Sequence, residues 1–107
     1  MRFAITLAPS AAKAFRILPA RIRSHVLDAL ERHLRYEPTK VSKSRIKRLR
    51  GLRQPQYRLR VDDIRVFYDV TQTAVEVLAI VRKTDAQAWL EQEGTPLSGS
   101  GSGEGEG

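Results

Sequence analysis

The sequence contains no cysteine among its 107 residues. Disulfide bonds, thiol nucleophiles and cysteine-ligated zinc are therefore excluded. No apolar run approaches the roughly 18 residues that a membrane helix needs, and the opening segment MRFAITLAPS is too short and too interrupted for a signal peptide. We therefore expect one domain in the cytoplasm, with no membrane contact.

Motifs for common cofactors and metals are missing as well. The chain has no glycine-rich phosphate loop, no dinucleotide fingerprint, no metal-ligand spacing and no pairing of a nucleophile with histidine. Its two histidines, His25 and His33, lie on one predicted helix and fit its surface better than a metal site. We expect neither a metal nor a cofactor.

Positive charge, in contrast, is abundant and concentrated in one segment. Arg32 to Arg65 holds twelve basic and three acidic residues, a surplus of nine, whereas the whole chain carries +7, so the remainder is slightly acidic. Such a block attracts phosphate groups or an acidic partner. The alternative for any basic segment is an ordinary solvated surface.

The N-terminal third predicts one strand and two helices. Residues 3–7 alternate in size, as in a strand; Ser10 suits the N-cap of a short helix, and Pro19 suits the first turn of the next. One apolar stripe recurs every four residues of that second helix: Ile22, Val26, Leu30 and Leu34. These helices can cover one face of a sheet.

The rest of the chain changes to the period of a sheet. Residues 39–56 are a basic connection, in which Gly51 and Pro55 argue against more than a turn of helix. Strands follow at residues 57–61, 64–70 and 75–81, the last almost wholly apolar and therefore interior. Thr84 is expected to cap a short helix over residues 85–93. We assign residues 1–93 to the domain and residues 94–107 to a disordered tail rich in Gly, Ser and Glu.

Asp62-Asp63 is predicted to form a two-residue hairpin turn, and that turn fixes which residues face each other. Arg60 would lie opposite Arg65, and Arg58 opposite Phe67. Side chains alternate between the two faces of a sheet. One face then collects the core residues Tyr57, Leu59, Val61, Ile64, Val66 and Tyr68. The other face collects Arg58, Arg60, Arg65 and Phe67.

Arginines that face each other across a hairpin repel, so their presence needs a reason. Asp69 could neutralise one of them, but no acidic residue is placed to neutralise all three. The planar guanidinium fork of arginine suits phosphate oxygens, and Phe67 beside them offers a stacking surface for a base. The pattern favours phosphate binding over the alternative of solvated arginines.

Four short motifs occur in order along the chain: Leu49-Arg50-Gly51, then Tyr57-Arg58-Leu59-Arg60-Val61, then Ile64-Arg65-Val66-Phe67-Tyr68, then Val77-Leu78-Ala79-Ile80-Val81-Arg82-Lys83. Together they resemble the RelE/ParE family of bacterial toxins, from about Arg2 to Leu90. The resemblance implies an α+β fold. It would have an antiparallel β-sheet, two N-terminal helices packed on one face and a short C-terminal helix.

The same resemblance implies a function and a partner. RelE-like toxins are held by a cognate antitoxin and cut mRNA in the ribosomal decoding site, where a 2′-hydroxyl attacks the adjacent phosphate. By position, Arg58 and Arg60 match basic residues that hold phosphate and act in proton transfer. Arg65 matches the arginine that stabilises the transition state, and Lys83 (or Arg82) matches a basic residue at the end of the last strand. The chain would then be an mRNA interferase, a ribosome-dependent endoribonuclease.

Four further residues are expected to contact RNA: Phe67, Arg82, Trp89 and Arg50. Each has an ordinary alternative, since Arg82 can simply be solvated and Trp89 can pack in the core. Trp89 also takes the place where RelE-like nucleases often have a tyrosine. An indole can stack on a base but cannot act as a general acid or base.

Two other functions remain open at this stage. One is that of a ParE-like inhibitor of DNA gyrase, which binds rather than cleaves. The other is that of a non-catalytic member that binds only its antitoxin or nucleic acid. Messenger cleavage and gyrase inhibition, compared after induced expression, distinguish them.

Overall fold

The computed structural model describes residues 1–97, which contain three α-helices and seven strands. The helices are α1 (Pro9–Ile17), α2 (Ala20–Ala29) and α3 (Ala86–Glu93). The strands are β1 (Ala4–Leu7), β2 (Ile46–Arg48), β3 (Leu52–Gln54), β4 (Tyr57–Val61), β5 (Ile64–Val70), β6 (Ala74–Arg82) and β7 (Thr95–Pro96). A π-helical turn, Leu30–Leu34, extends α2, and a 3-10 turn, Lys83–Asp85, precedes α3.

Five of these strands form the main sheet, in the order β1-β6-β5-β4-β2. The α+β class is confirmed, and β6 is an interior strand, as its apolar sequence predicted. The predicted antiparallel pairing holds for β2, β4, β5 and β6, but the sheet is mixed, because β1 runs parallel to β6 with Ile5 opposite Val75. Alternation in a sequence reports the face that a side chain takes, but not the direction of the neighbouring strand.

The core lies between this sheet and the two N-terminal helices, as predicted. Val26 and Leu34 are fully buried, together with Leu59, Val66 and Tyr68 from the sheet. Ile22 is partly buried against the same cluster. Burial of each such aliphatic side chain contributes about 1.5–3 kcal/mol. The start of α1 differs from the prediction: it begins at Pro9, whose missing N–H costs nothing there, and Ser10 lies inside its first turn.

The basic connection hides a strand that the sequence did not predict. β2 (Ile46–Arg48) pairs antiparallel with β4 at the edge of the sheet, and the buried Ile46 lies opposite Leu59. Lys47 and Arg48 are exposed. Charged residues are typical of edge strands, where they discourage pairing with another chain. Because β2 has only three residues, its sequence also shows no visible alternation of apolar and polar side chains.

The C-terminal end of the domain also differs from its prediction. No side chain caps the last helix: Thr84 lies in the 3-10 turn, and α3 begins at Ala86. Thr95 and Pro96, assigned to the tail, pair with β3. The rest of the predicted tail, residues 98–107, lies outside the described residues.

The hairpin turn between β4 and β5 holds a residue in an unusual conformation. Asp62 has a φ of 51°, in the left-handed region, and its Oδ2 lies 2.9 Å from Nδ1 of His25 on α2. Side chains branched at Cβ are strained in that region. We expect Asp62→Val to lower the free energy of unfolding by about 1–2 kcal/mol, measured by denaturant titration.

A second substitution separates the backbone effect from the contact with His25. Asp62→Gly tolerates positive φ but loses the contact, which for an exposed pair is worth about 0–1 kcal/mol. If Asp62→Val is no less stable than Asp62→Gly, the turn does not depend on this conformation.

Candidate functional site

The predicted pairing of the hairpin is confirmed residue by residue. Arg60 lies opposite Arg65, and Arg58 lies opposite Phe67. Because facing residues share a side of the sheet, the three arginines lie on the face away from α1 and α2. We call Arg58, Arg60 and Arg65 the arginine cluster. The cluster follows from local geometry, because the two-residue turn sets the register and side chains alternate between the two faces along each strand.

Arg65 is more enclosed than the sequence suggested, with only 8% of its surface exposed. Its Nη1 donates to the carbonyl oxygens of Asp62 at 2.9 Å and Ile64 at 3.0 Å. These bonds hold the guanidinium close to the hairpin turn. Two of its hydrogen bonds thus fix its orientation, while no carboxylate among residues 1–97 forms an ion pair with it.

Within residues 1–97, no carboxylate forms an ion pair with the arginine cluster. Asp69, which the sequence offered as a neutralising residue, is engaged elsewhere. Its carboxylate accepts hydrogen bonds from Nε2 of Gln54 at 2.7 Å and from the backbone N–H of Gln56 at 2.8 Å. Among residues 1–97 the positive charge of the cluster is therefore not neutralised by an ion pair.

The pKa values of two cluster members reflect this crowding. Burial, followed by the nearby charges of Arg65 and Arg60, lowers the pKa of Arg58 from its ordinary value. Burial and the charge of Arg60 likewise lower the pKa of Arg65, with Asp63 opposing. Arginine nevertheless remains protonated in proteins. An anion placed among the three would relieve both the repulsion and the incomplete solvation.

One buried atom of the cluster has no hydrogen-bond partner among residues 1–97. The Nε of Arg58 is buried, and no acceptor reaches it. Leaving a buried donor unpaired costs about 1–3 kcal/mol, and more for a charged group. Nearly all buried polar atoms in folded proteins are paired, so this Nε adds to the unfavourable electrostatics of the arginine cluster.

A further cation joins this face through the strand that the sequence did not reveal. Lys47 on β2 lies directly opposite Arg58 on β4, and so shares the face of the arginine cluster. It is exposed. Ile46, the one apolar residue of β2, is the sequence signal for the orientation of this strand.

Arg82 and Lys83, the two basic residues at the end of β6, take different positions. Arg82 pairs with Ile64, whose side chain is in the core, so Arg82 is directed to the side of α1 and α2. The prediction that Arg82 contacts RNA beside the arginine cluster is therefore wrong. Lys83 is exposed, and its backbone N–H donates to the carbonyl of Asp63 at 2.7 Å. That bond places Lys83 at the hairpin turn, close to where Arg65 is held.

The predicted stacking surface is covered. Phe67 is fully buried, and its ring stacks on Trp89 of α3 at 5.0 Å between centroids and 7° between planes. The expectation that Phe67 offers a face to a base is therefore wrong. α3 folds back over this side of the sheet, and Trp89, itself half-buried, takes the place that a base was expected to occupy.

Arg50 lies outside the arginine cluster, exposed in the loop before Gly51. It borders an open groove of about 650 Å³ between that loop and α3. Lys47 borders the same groove. The groove therefore continues the basic face beyond Arg58.

Within residues 1–97, no three His, Asp or Glu side chains are grouped as metal ligands would be. No helix in this part of the chain is long and apolar enough to cross a membrane.

Comparison with known proteins gives matches among solved structures but not among family models or curated sequences. The sequence matches no protein-family model, and no curated protein matches it either. Solved structures do match. The archaeal RelE–RelB complex from Pyrococcus horikoshii OT3 aligns with a TM-score of 0.64 at 26% identity, over 78% of this chain and 97% of that chain.

Two more distant structures share the fold. The toxin–antitoxin complex RelBE2 from Mycobacterium tuberculosis aligns with a TM-score of 0.60 at 23% identity, over 77% of this chain and 99% of that one. The E. coli DinJ–YafQ toxin–antitoxin complex aligns with a TM-score of 0.60 at 14% identity, over 78% and 96%. The resemblance indicated by the four sequence motifs is therefore confirmed, and the chain is RelE-like in its fold.

Proposed function

We propose that this protein is the toxin of a type II toxin–antitoxin system and cleaves mRNA on the ribosome. The observation that carries the proposal is the arginine cluster, three guanidinium groups on one face without a counter-ion among residues 1–97. The matched chains from Mycobacterium tuberculosis and E. coli come from toxin–antitoxin complexes. Their fold supports the same role here.

The arginine cluster suits the charge that develops when RNA is cleaved. The 2′-hydroxyl oxygen bonds to the adjacent phosphorus while the bond from phosphorus to the 5′ oxygen breaks. The products are a cyclic phosphate and a free 5′-hydroxyl. Negative charge grows on the phosphate oxygens during this step. Arg65, held at the turn by two backbone carbonyls, is oriented to receive it, and fixed charges of this kind lower the barrier by several kcal/mol.

Proton transfer is the step that the chain supports least. Arginine holds its proton too tightly to act as a base, and the indole of Trp89 has no proton to exchange near neutral pH. Lys83, exposed beside the turn, is the remaining candidate on this part of the molecule. This shortage favours cleavage that depends on groups of the ribosome over cleavage of free RNA.

The proposed partner is an antitoxin with an acidic or amphipathic segment. A disordered segment can order along a broad charged surface as it binds, and complementary charge speeds its association. The surplus of nine positive charges between Arg32 and Arg65 offers such a surface. Both partners would act in the cytoplasm.

The same shortage of proton-transfer groups supports a second candidate, a toxin that binds without cleaving. Gyrase would then be the target, as for ParE-like toxins, or the protein would bind only nucleic acid and its antitoxin. In that case the arginine cluster would hold phosphates without reaction.

Induced expression tests the proposal. We expect growth arrest, which co-expression of the neighbouring reading frame relieves. Primer extension on ribosome-bound messenger should show new 5′ ends within minutes, while gyrase supercoiling in the same cells stays normal. Gyrase inhibition without messenger cleavage would contradict this proposal and support the second candidate, a toxin that binds without cleaving. Harmless expression, with no neighbour that binds, would end the toxin assignment.

A further inference from the structure

The covered ring of Phe67 raises the question of where a nucleotide base could lie beside the arginine cluster. Trp89 occupies the one face of Phe67 that points away from the core. A substrate strand that places its phosphate among the arginines must therefore place its bases elsewhere. The groove next to Lys47 is open, and it begins where the arginine cluster ends.

The groove has the lining of a ligand site. Its lining is more apolar than polar, and it combines the apolar residues Leu49, Leu52, Leu90 and Pro96 with the basic residues Lys47 and Arg50. Glu91 is the one acidic residue that lines it, and Gln87 donates a hydrogen bond to that carboxylate at 3.2 Å. Its volume of about 650 Å³ falls within the usual range of sites for small ligands.

Close packing at Gly94 gives the groove a defined wall. A Cβ at this position would lie 2.6 Å from the carbonyl oxygen of Leu90 and 3.3 Å from Cδ2 of Leu52. The chain can therefore leave α3 and cross close to β3 only because residue 94 has no side chain. The next two residues, Thr95 and Pro96, then pair with β3 and close that side.

Lys47 and Arg58 join the groove to the arginine cluster. They face each other across β2 and β4, and the Nε of Arg58 is buried without an acceptor. A phosphate bound between these side chains would be neutralised by both of their positive charges. Its nucleotide would then have an apolar groove within reach for the base.

We propose that Lys47, Arg58 and this groove form a second nucleotide subsite, which binds the phosphate and base of the nucleotide next to the one held by the arginine cluster. This inference rests on the proposed function, since it takes RNA as the ligand. Base stacking on apolar and aromatic surfaces tolerates any base. The subsite would therefore anchor the strand more than read its sequence.

An apolar side chain of a protein partner is the other occupant that the groove could take. The two basic side chains that line the groove, Lys47 and Arg50, favour a phosphate-bearing ligand, because an apolar peptide segment would bring no counter-ion to them. The test below separates the two.

Binding of a short single-stranded RNA tests the phosphate contact. The RNA carries 2′-O-methyl groups, so that it is not cleaved, and fluorescence anisotropy gives its affinity at several salt concentrations. Each phosphate contact contributes about 0.7 to the slope of log K against log salt. We expect Lys47→Ala to reduce the slope by about that amount. Lys13→Ala, an exposed change on α1, is the matched control and should leave it unchanged.

Binding of an RNA that lacks one base tests the groove. In the unchanged protein, an abasic nucleotide at one position should lower the affinity about fivefold or more, as expected for the loss of one stacked base. In Leu90→Ala this difference should shrink while the salt slope stays the same. Leu49→Ala serves as a second variant, with thermal melting of both to confirm folding.

The outcomes distinguish the subsite from the function on which it rests. If Lys47→Ala binds as the unchanged protein does while Arg65→Ala binds more weakly, the subsite is wrong and RNA remains the ligand. If the unchanged protein binds no RNA even at low salt, both are wrong. If Lys47→Ala and Leu90→Ala weaken binding of the neighbouring gene product but not of RNA, the groove is a protein-docking surface and the subsite is rejected.

Discussion

Replacing Arg65 with alanine should lower the rate of messenger cleavage at least tenfold, and growth arrest should weaken in parallel. Each factor of ten corresponds to about 1.4 kcal/mol of lost transition-state stabilisation. Arg65 is held at the hairpin turn by the carbonyls of Asp62 and Ile64, so its charge is already oriented before substrate arrives. Primer extension on ribosome-bound messenger, at matched protein levels, measures the effect.

The stability of Arg65→Ala should change little, which makes the loss of activity interpretable. The substitution removes two hydrogen bonds, each worth about 0.5–1.5 kcal/mol. It also removes the repulsion between Arg65 and Arg60, which face each other. Thermal melting checks the balance.

Two matched variants sharpen this test. Arg65→Lys keeps the charge but loses the planar fork, so its activity should fall between those of Arg65 and Ala. Arg21→Ala, exposed on α2 away from the arginine cluster, should cleave normally. A fully toxic Arg65→Ala protein would rule out the catalytic role and favour the gyrase or binding-only candidate.

Replacing Phe67 with alanine should lower the free energy of unfolding by about 3–5 kcal/mol, the range for truncating a buried aromatic residue. Phe67 is fully buried in β5, and its ring stacks on Trp89. The truncation would leave a cavity beneath α3 and remove the stacking partner of the indole. Chemical denaturation measures the loss, which is large for a domain of this size.

A second substitution decides between a core role and a base-stacking role for Phe67. Phe67→Leu keeps an apolar side chain in the core, so we expect it to restore most of the stability. It should also cleave messenger at close to the normal rate, since the ring does not touch RNA in this arrangement. If Phe67→Leu is as stable as the unchanged protein but loses cleavage, the ring meets substrate after α3 moves away.

Much of the fold was readable from local pattern. The stripe formed by Val26, Leu30 and Leu34 predicted the helix face that enters the core, and the period of two after Gln56 predicted the hairpin. Features that depend on pairing between distant segments were not readable. β1 lies parallel to β6 across some 70 residues, Ile5 to Val75, and nothing in either segment specifies that direction.

The candidate site likewise has one part that local sequence predicts and another part that depends on tertiary structure. Asp62-Asp63 and the alternation on either side of it were enough to place Arg58, Arg60 and Arg65 on one face, because a two-residue turn sets the register and the pleat sets the side. What lies beside those arginines was decided by tertiary structure alone. α3 folds back to cover Phe67 with Trp89, and β2 brings Lys47 opposite Arg58. The pattern of a strand determines which face each side chain takes, but only long-range packing determines what covers that face.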